Sequence, residues 1–163
     1  FLGQGQPIRA LTDGIINITA SSIVNTKDIH QPRNALIYDD DKKIFHSKDE
    51  PNSWLCVDFK ERKVNITHYS IKSHGYGGKG YCHPQTWSVE GSNDSSHWEE
   101  LDSRSNEGSL DDRSASNTFE ARNEAHKRNY YRYVRIMQKG KNTRNDNCFA
   151  FSSIEFFGSI ENK

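Results

Sequence analysis

Apolar and polar residues alternate along much of the chain with the two-residue period of a half-buried β-strand. In WLCVDF (54–59), Leu55, Val57 and Phe59 fall on one face and Trp54, Cys56 and Asp58 on the other. In NITHYSIKS (65–73), Ile66, His68 and Ser70 alternate against Thr67, Tyr69 and Ile71. Further short runs at 86–92, 97–102, 117–121, 130–137 and 152–160 are rich in β-branched and aromatic residues and bounded by Gly, Asn, Ser or Pro. Only NEAHKRN (123–129) offers a turn or two of helix, and it lacks an apolar stripe. The turn segment GSNDSSHW (91–98) has hairpin chemistry. Many short strands without intervening helices predict an all-β, antiparallel sandwich or barrel.

Between the strands lie three long gaps, at 38–53, 73–86 and 138–151. Long loops in a compact domain are commonly functional. The two later gaps hold most of the Gly, Tyr, His and Arg outside strands.

At 163 residues the chain is read as a single domain, 1–163. Its mean hydropathy of −0.94 is low, and an 11% aromatic content compensates by burying large area per residue. With 22 acids and 22 bases the net charge is zero, which argues against nucleic acid or anionic membrane as the main partner. No apolar run approaches 18 residues. The opening FLGQGQPIRAL has no Met and no signal-peptide pattern, so we expect a domain excised from a longer chain. The odd trio Cys56, Cys82 and Cys148 makes no disulfide framework, and Cys56 reads as a small buried hydrophobe. Sequons occur at Asn17, Asn65 and Asn93, but the cysteines weigh more and favour a reducing, cytoplasmic compartment.

The order NALIYDDDKKIFHS…PNSWLCVDF, HYSIKSH…HPQTWSVEGSNDSSHWEELDSR, YYRYVRIMQKG and SSIEFFGSI resembles the discoidin, or coagulation-factor type C, domain of the galactose-binding-like superfamily. The resemblance spans about 30–160 and leaves 1–29 as an N-terminal extension, whose LTDGIINITASS segment can supply an outer strand. The sequence looks most like the cytoplasmic branch found beside BTB or ankyrin modules. Secreted members usually clamp the domain ends with a disulfide, and no Cys lies near either end here. The resemblance implies an eight-stranded jelly-roll β-sandwich with ligands bound on loops at one end. Family ligands include sugars, phospholipid head groups, collagen and protein degrons, so the fold does not fix the ligand. In sugar-binding relatives a His, an Arg and an Asn in these loops hold sugar hydroxyls, roles to which His74, Arg144 and Asn147 can be matched.

The candidate site comprises His74, Tyr76, Tyr81 and His83 from one loop and Arg144, Asp146, Asn147 and Phe149 from another. Tyr offers a flat apolar face with a hydroxyl at low entropy cost, and Arg forks onto a carboxylate or phosphate. The competing reading is a solvated loop with Tyr81 tucked into the barrel mouth. All three tryptophans, Trp54, Trp87 and Trp98, are expected in the core. Asp39, Asp40 and Asp41 are oxygen ligands of the type calcium takes. However, Lys43 stands near where calcium-binding relatives carry Thr, and Glu155 is displaced from the ligand position, where Ser153 stands. A solvated acidic turn is therefore expected in preference to structural calcium, and no cofactor is required. His74, Cys82, His83 and Cys148 fit no standard zinc spacing. Cys82 and His83 are sequence neighbours and poorly placed for proton transfer, so no enzyme is expected. Lys139, Lys141 and Arg144 read as a solvated basic loop. Phe45 and Phe149 are too few as apolar spikes for membrane insertion. The expectation is a non-enzymatic recognition module of a larger intracellular protein. A protein segment would dock on Tyr76, Tyr81 and His83 while Arg144 meets an acidic group. The alternative is a carbohydrate-binding domain of a secreted or surface protein.

Overall fold

The computed structural model describes residues 6–124 and 128–161. Residues 125–127, within the expected turn at 123–129, lie outside them. Ten strands occur among the described residues: β1 (Asn17–Ala20), β2 (Phe45–His46), β3 (Trp54–Asp58), β4 (Val64–Lys72), β5 (Trp87–Ser92), β6 (Glu99–Arg104), β7 (Ser116–Glu120), β8 (Tyr133–Gln138), β9 (Ala150–Phe151) and β10 (Ser153–Ile160). They form a five-stranded sheet ordered β1-β3-β8-β5-β6, a three-stranded sheet β10-β4-β7 and a two-stranded ribbon β2-β9, paired antiparallel throughout. The all-β antiparallel architecture is as the alternation predicts, and the jelly-roll sandwich is as the resemblance implies, with ten strands where eight were implied.

The alternation works through burial. In β8, Val134, Ile136 and Gln138 point inward while Tyr133, Arg135 and Met137 face out. The two main sheets close on Trp87, Tyr69 and Phe119, with Trp87 edge-on to Phe119 at 5.3 Å and Tyr69 stacked on it at 5.4 Å. The short ribbon adds a second aromatic knot, in which Phe45 and Phe149 each meet Phe151, at 5.5 and 5.2 Å. Each such side chain contributes roughly 1.5–3 kcal/mol on burial.

The N-terminal segment supplies β1, the outer strand that pairs Asn17 with Asp58 and Thr19 with Cys56. It also supplies a helix the alternation did not predict, α1 (Gln6–Thr12), whose Ala10 joins Ile16 and Val57 in a small satellite core. In β10 a bulge falls between Phe157 and Gly158. A Cβ at Gly158 would sit 1.9 Å from the Asn65 carbonyl, so only glycine lets β10 approach β4 there.

One expectation is corrected. Trp87 is fully buried, but Trp54 and Trp98 are only half-buried. Trp54 occupies the outward phase of β3, and Trp98 stands before β6 with the Arg135 guanidinium 3.9 Å from its ring centroid. An Arg partner keeps that indole at the surface.

Candidate functional site

The loops 38–53, 73–86 and 138–151 are tied into one platform by backbone bonds. Gly75 N–H donates to the Asp41 carbonyl (2.8 Å) and the Tyr76 hydroxyl to the Lys42 carbonyl (2.9 Å). His83 N–H donates to the Thr143 hydroxyl, and Thr143 N–H returns to the His83 carbonyl, both at 3.0 Å. Asn147 N–H donates to Asp49 (2.7 Å) and Phe149 N–H to the Ser47 hydroxyl (2.9 Å).

The eight candidate residues separate into three depths. Phe149 is fully buried in the aromatic knot and presents nothing to a ligand, a correction to its reading as a loop contact. The apolar run Phe149-Ala150-Phe151 was the signal for the core. His74 and His83 form the next layer, 2% and 0% exposed, with ring centroids 4.6 Å apart. His83 Nε2 lies 3.0 Å from the Gly78 carbonyl, which a neutral ring satisfies as donor. Both Nδ1 atoms are buried without a hydrogen-bond partner. Burial, reinforced by His83 and His46, pushes His74 down to about 4. Burial likewise lowers His83. Burial disfavours the charged form of each ring, so the pair is neutral at physiological pH.

Above this layer lies the surface. Tyr81 is 47% exposed, with its ring edge-on to His74 at 6.2 Å. Tyr76 is half-buried beside it. Arg144 is exposed and Asp146 and Asn147 are half-buried. Arg144 Nε lies 3.1 Å from Asp146 Oδ2, while Asp146 Oδ1 accepts from Asn142 Nδ2 (2.6 Å) and the Cys148 N–H (3.0 Å). The outcome is an exposed aromatic face beside a charge pair whose acid is anchored by the loop.

Gly77 adopts φ +65°, and a Cβ there would fall 2.2 Å from the Tyr81 ring. Gly77→Ala is therefore expected to displace Tyr81 and cost about 1–2 kcal/mol of stability. Thermal melts and the Tyr81 ring resonances check it, and an unmoved Tyr81 would contradict the packing described.

Metal and catalytic readings can be placed as well. Asp40 Oδ1 caps its own turn through the Lys42 and Lys43 N–H groups, and Asp41 accepts the Ser114 hydroxyl. Among the described residues, the potential metal ligands that converge are Asp49, Asp146 and Cys148, not the His–Cys set of the zinc reading. Arg144 stands against this group and opposes a cation. Burial and Asp146 raise the thiol of Cys82 and push that of Cys148 up to about 12, so neither is a ready thiolate. Two sequons are structurally engaged. Asn65 is buried and donates to the Asn129 carbonyl (2.8 Å), and Asn93 bonds the backbone of Tyr130 and Arg132.

Residues 17–152 match the F5/8 type C domain, which takes in all of the strands from β1 to β9. The chain belongs to the F5/8 type C domain family. F5/8 type C domains are binding modules, not catalysts, and so is this one. The domain is similar to the E3 ubiquitin-protein ligase Ufd4 of Drosophila melanogaster, 24% identical over 116 residues, or 71% of this chain. It spans only 4% of that ligase's length. Among solved structures it resembles CBM32-3 from a family 31 glycoside hydrolase of Clostridium perfringens (TM-score 0.68, 15% identity, 90% of this chain and 92% of that one). It also resembles CpGH89CBM32-5 of the same organism, solved in complex with GalNAc-β-1,3-galactose (TM-score 0.67, 13% identity, 91% and 99%). The lectin domain of lectinolysin, solved with Lewis B antigen, follows (TM-score 0.58, 18% identity, 88% and 92%). At these identities the structures share the fold, a galactose-binding-like sandwich. No helix among the described residues is long and apolar enough to cross a membrane.

Proposed function

We propose that this F5/8 type C domain docks a protein segment on the Tyr81 platform, as the recognition module of a larger intracellular protein. The carrying observation is the depth of His74. It was matched to a sugar-holding histidine, yet it is 2% exposed beneath Tyr76 and Tyr81 with its Nδ1 buried. Arg144, matched to a second sugar contact, is engaged by Asp146. What is presented instead is one flat aromatic face beside a charge pair, which suits an apolar side chain flanked by a polar one. The similarity to a ubiquitin ligase and the engaged amides of Asn65 and Asn93 support an intracellular setting. The rival is carbohydrate binding, favoured by structural relatives solved with GalNAc-β-1,3-galactose and Lewis B antigen.

The test pans a displayed peptide library and a glycan array with the intact chain and with a Tyr81→Ala, Arg144→Glu variant. Tyr81 is largely outside the core, so the variant is expected to melt within a few degrees of the parent. Peptides enriched by the parent are expected to bind the variant about thirtyfold more weakly, the effect of losing roughly 2 kcal/mol of anchor. Glycan binding lost in the variant, with no peptide enriched, would transfer the site to sugars. Peptides bound equally by both proteins would remove the loops from the interface.

A further inference from the structure

The outer face of the five-stranded sheet carries a second concavity, remote in sequence from the loop platform. It is a groove of about 350 Å³ whose walls include Trp54, Trp98, Tyr133, Arg135, Asn17 and Thr19. The register explains its floor. Across β1, β3 and β8, Thr19 stands opposite Cys56 and Cys56 opposite Arg135, while Asn17 stands opposite Asp58 and Asp58 opposite Tyr133. Outward phase puts all of these on one face. Three large aromatics on regular strands and a hairpin turn thus line one solvent-open groove. A sheet face left to water does not ordinarily spend two tryptophans this way.

The charged groups of the groove are paired. Its carboxylates are spoken for. Asp58 accepts from Arg132 through two bonds, 2.8 and 3.0 Å, and from the Lys60 N–H at 2.7 Å. Glu90, behind Arg135, accepts from Arg135 (2.5 Å) and Ser88 (3.0 Å) and faces Lys139 at 3.4 Å. Two of its three rings already carry a cation, with Arg135 over Trp98 and Arg132 over Tyr133 (4.8 Å). Among the described residues, the indole N–H groups of Trp54 and Trp98, the Tyr133 hydroxyl and the Asn17 side chain make no intramolecular hydrogen bond. Trp87, by contrast, donates to Tyr69. The groove therefore offers flat apolar faces, paired charges, two indole groups that can only donate, and a hydroxyl and an amide that can donate or accept.

We infer that this groove binds a proline-rich segment in the polyproline II conformation. Such a segment is neutral, presents flat rings on a ridge that repeats every three residues, and carries carbonyl acceptors with few or no N–H donors. A cationic ligand would be repelled by the two arginines already seated on Trp98 and Tyr133. An anionic ligand would meet Arg135 already neutralised by Glu90. A sugar hydroxyl also suits the hydroxyl and the amide, and a maltooligosaccharide control separates it from proline. The inference does not depend on the loop platform, since the two sites share no residue.

The indole N–H resonances of the ¹⁵N-labelled chain give the test, by titration with a ten-proline peptide to millimolar concentration. The expected result is that the Trp54 and Trp98 signals move while Trp87, locked in the core, stays. Trp98→Ala is expected to weaken binding at least about tenfold. Trp54→Phe, which keeps an aromatic ring but deletes one donor, serves if Trp98→Ala loses its dispersed spectrum, and is expected to weaken binding by about threefold or more. Unmoved Trp54 and Trp98 signals at saturating peptide would overturn the inference. So would unchanged affinity in the folded variants, shifts confined to Tyr81 and its neighbours, or equal shifts with a maltooligosaccharide control.

Discussion

Asp102→Ala is expected to lower the free energy of unfolding by about 3–5 kcal/mol, the cost of removing one partner from a buried ionic cluster. Asp102 on β6 is fully buried. Its Oδ2 accepts the Tyr69 hydroxyl at 2.6 Å and Arg104 Nε at 2.7 Å, and its Oδ1 accepts Arg122 Nε at 3.2 Å. The Tyr69 oxygen accepts in turn from Trp87 Nε1 at 3.0 Å. One carboxylate therefore joins both main sheets through the centre of the core. Alanine would strand the Arg104 guanidinium, whose side chain is 17% exposed, and a buried phenol. Tyr69→Phe removes only one hydrogen bond and is expected to cost about 1–2 kcal/mol. Urea denaturation of the three proteins checks the order, with m-values unchanged. A loss under about 1 kcal/mol for Asp102→Ala would mean the network is not a structural tie.

How far this cluster was legible in the sequence is instructive. Tyr69 and Trp87 fell on apolar strand positions and were read as strand residues, but nothing in HWEELD marks Asp102 as buried. Of its partners only Arg104 is local, while Tyr69 comes from β4 and Arg122 from beyond β7, and alternation carries no information across strands. The longer strands were legible because five or more residues display a period of two: WLCVDF became β3, and NITHYSIKS became β4 within a residue at each end. The two-residue strands Phe45–His46 and Ala150–Phe151 lie inside stretches read as loops, for two residues have no period. The α1 helix is seven residues long, too short for an apolar stripe to declare itself.

The depth of the candidate residues was not legible in the sequence. The fold brings the loop 73–86, where Gly, Tyr and His concentrate, against 138–151. Sequence could not tell which side chains face water. His74 and His83 look like ligands by composition, yet they pack as the floor beneath Tyr81. The tryptophans show the converse error. Trp54 shares a strand face with Cys56 and Asp58, and that polar company was the available sign that its ring faces outward. Sequence composition ranks residues by what they can do; burial decides which of them are free to do it.

That floor makes the domain acid-sensitive. In the folded protein His74 titrates near 4, against 6.5 for an ordinary imidazole, because burial and then His83 and His46 disfavour its charge. Burial lowers His83 and His46 in the same direction. The unfolded chain therefore binds more protons than the folded one between pH 6.5 and about 4. Stability is at its full value above 6.5 and falls as the pH drops through that window, by about 3 kcal/mol from His74 alone. Below that window Asp58 adds a further loss. The bond from Arg132 holds its carboxyl below the ordinary range, so its contribution disappears as it protonates. His74→Phe separates the two effects, since it removes the imidazole and leaves every carboxylate. The difference in unfolding free energy between parent and variant is expected to change by about 3 kcal/mol from pH 7.5 to pH 4. Its sign is set by the parent, which loses stability that the variant keeps. A constant difference across that range would show that His74 is not held neutral. The same titration is expected to loosen Tyr81, because a charged His74 is no longer accommodated in the buried layer beneath it. Binding at the loop platform is accordingly expected to weaken before the sheets themselves unfold.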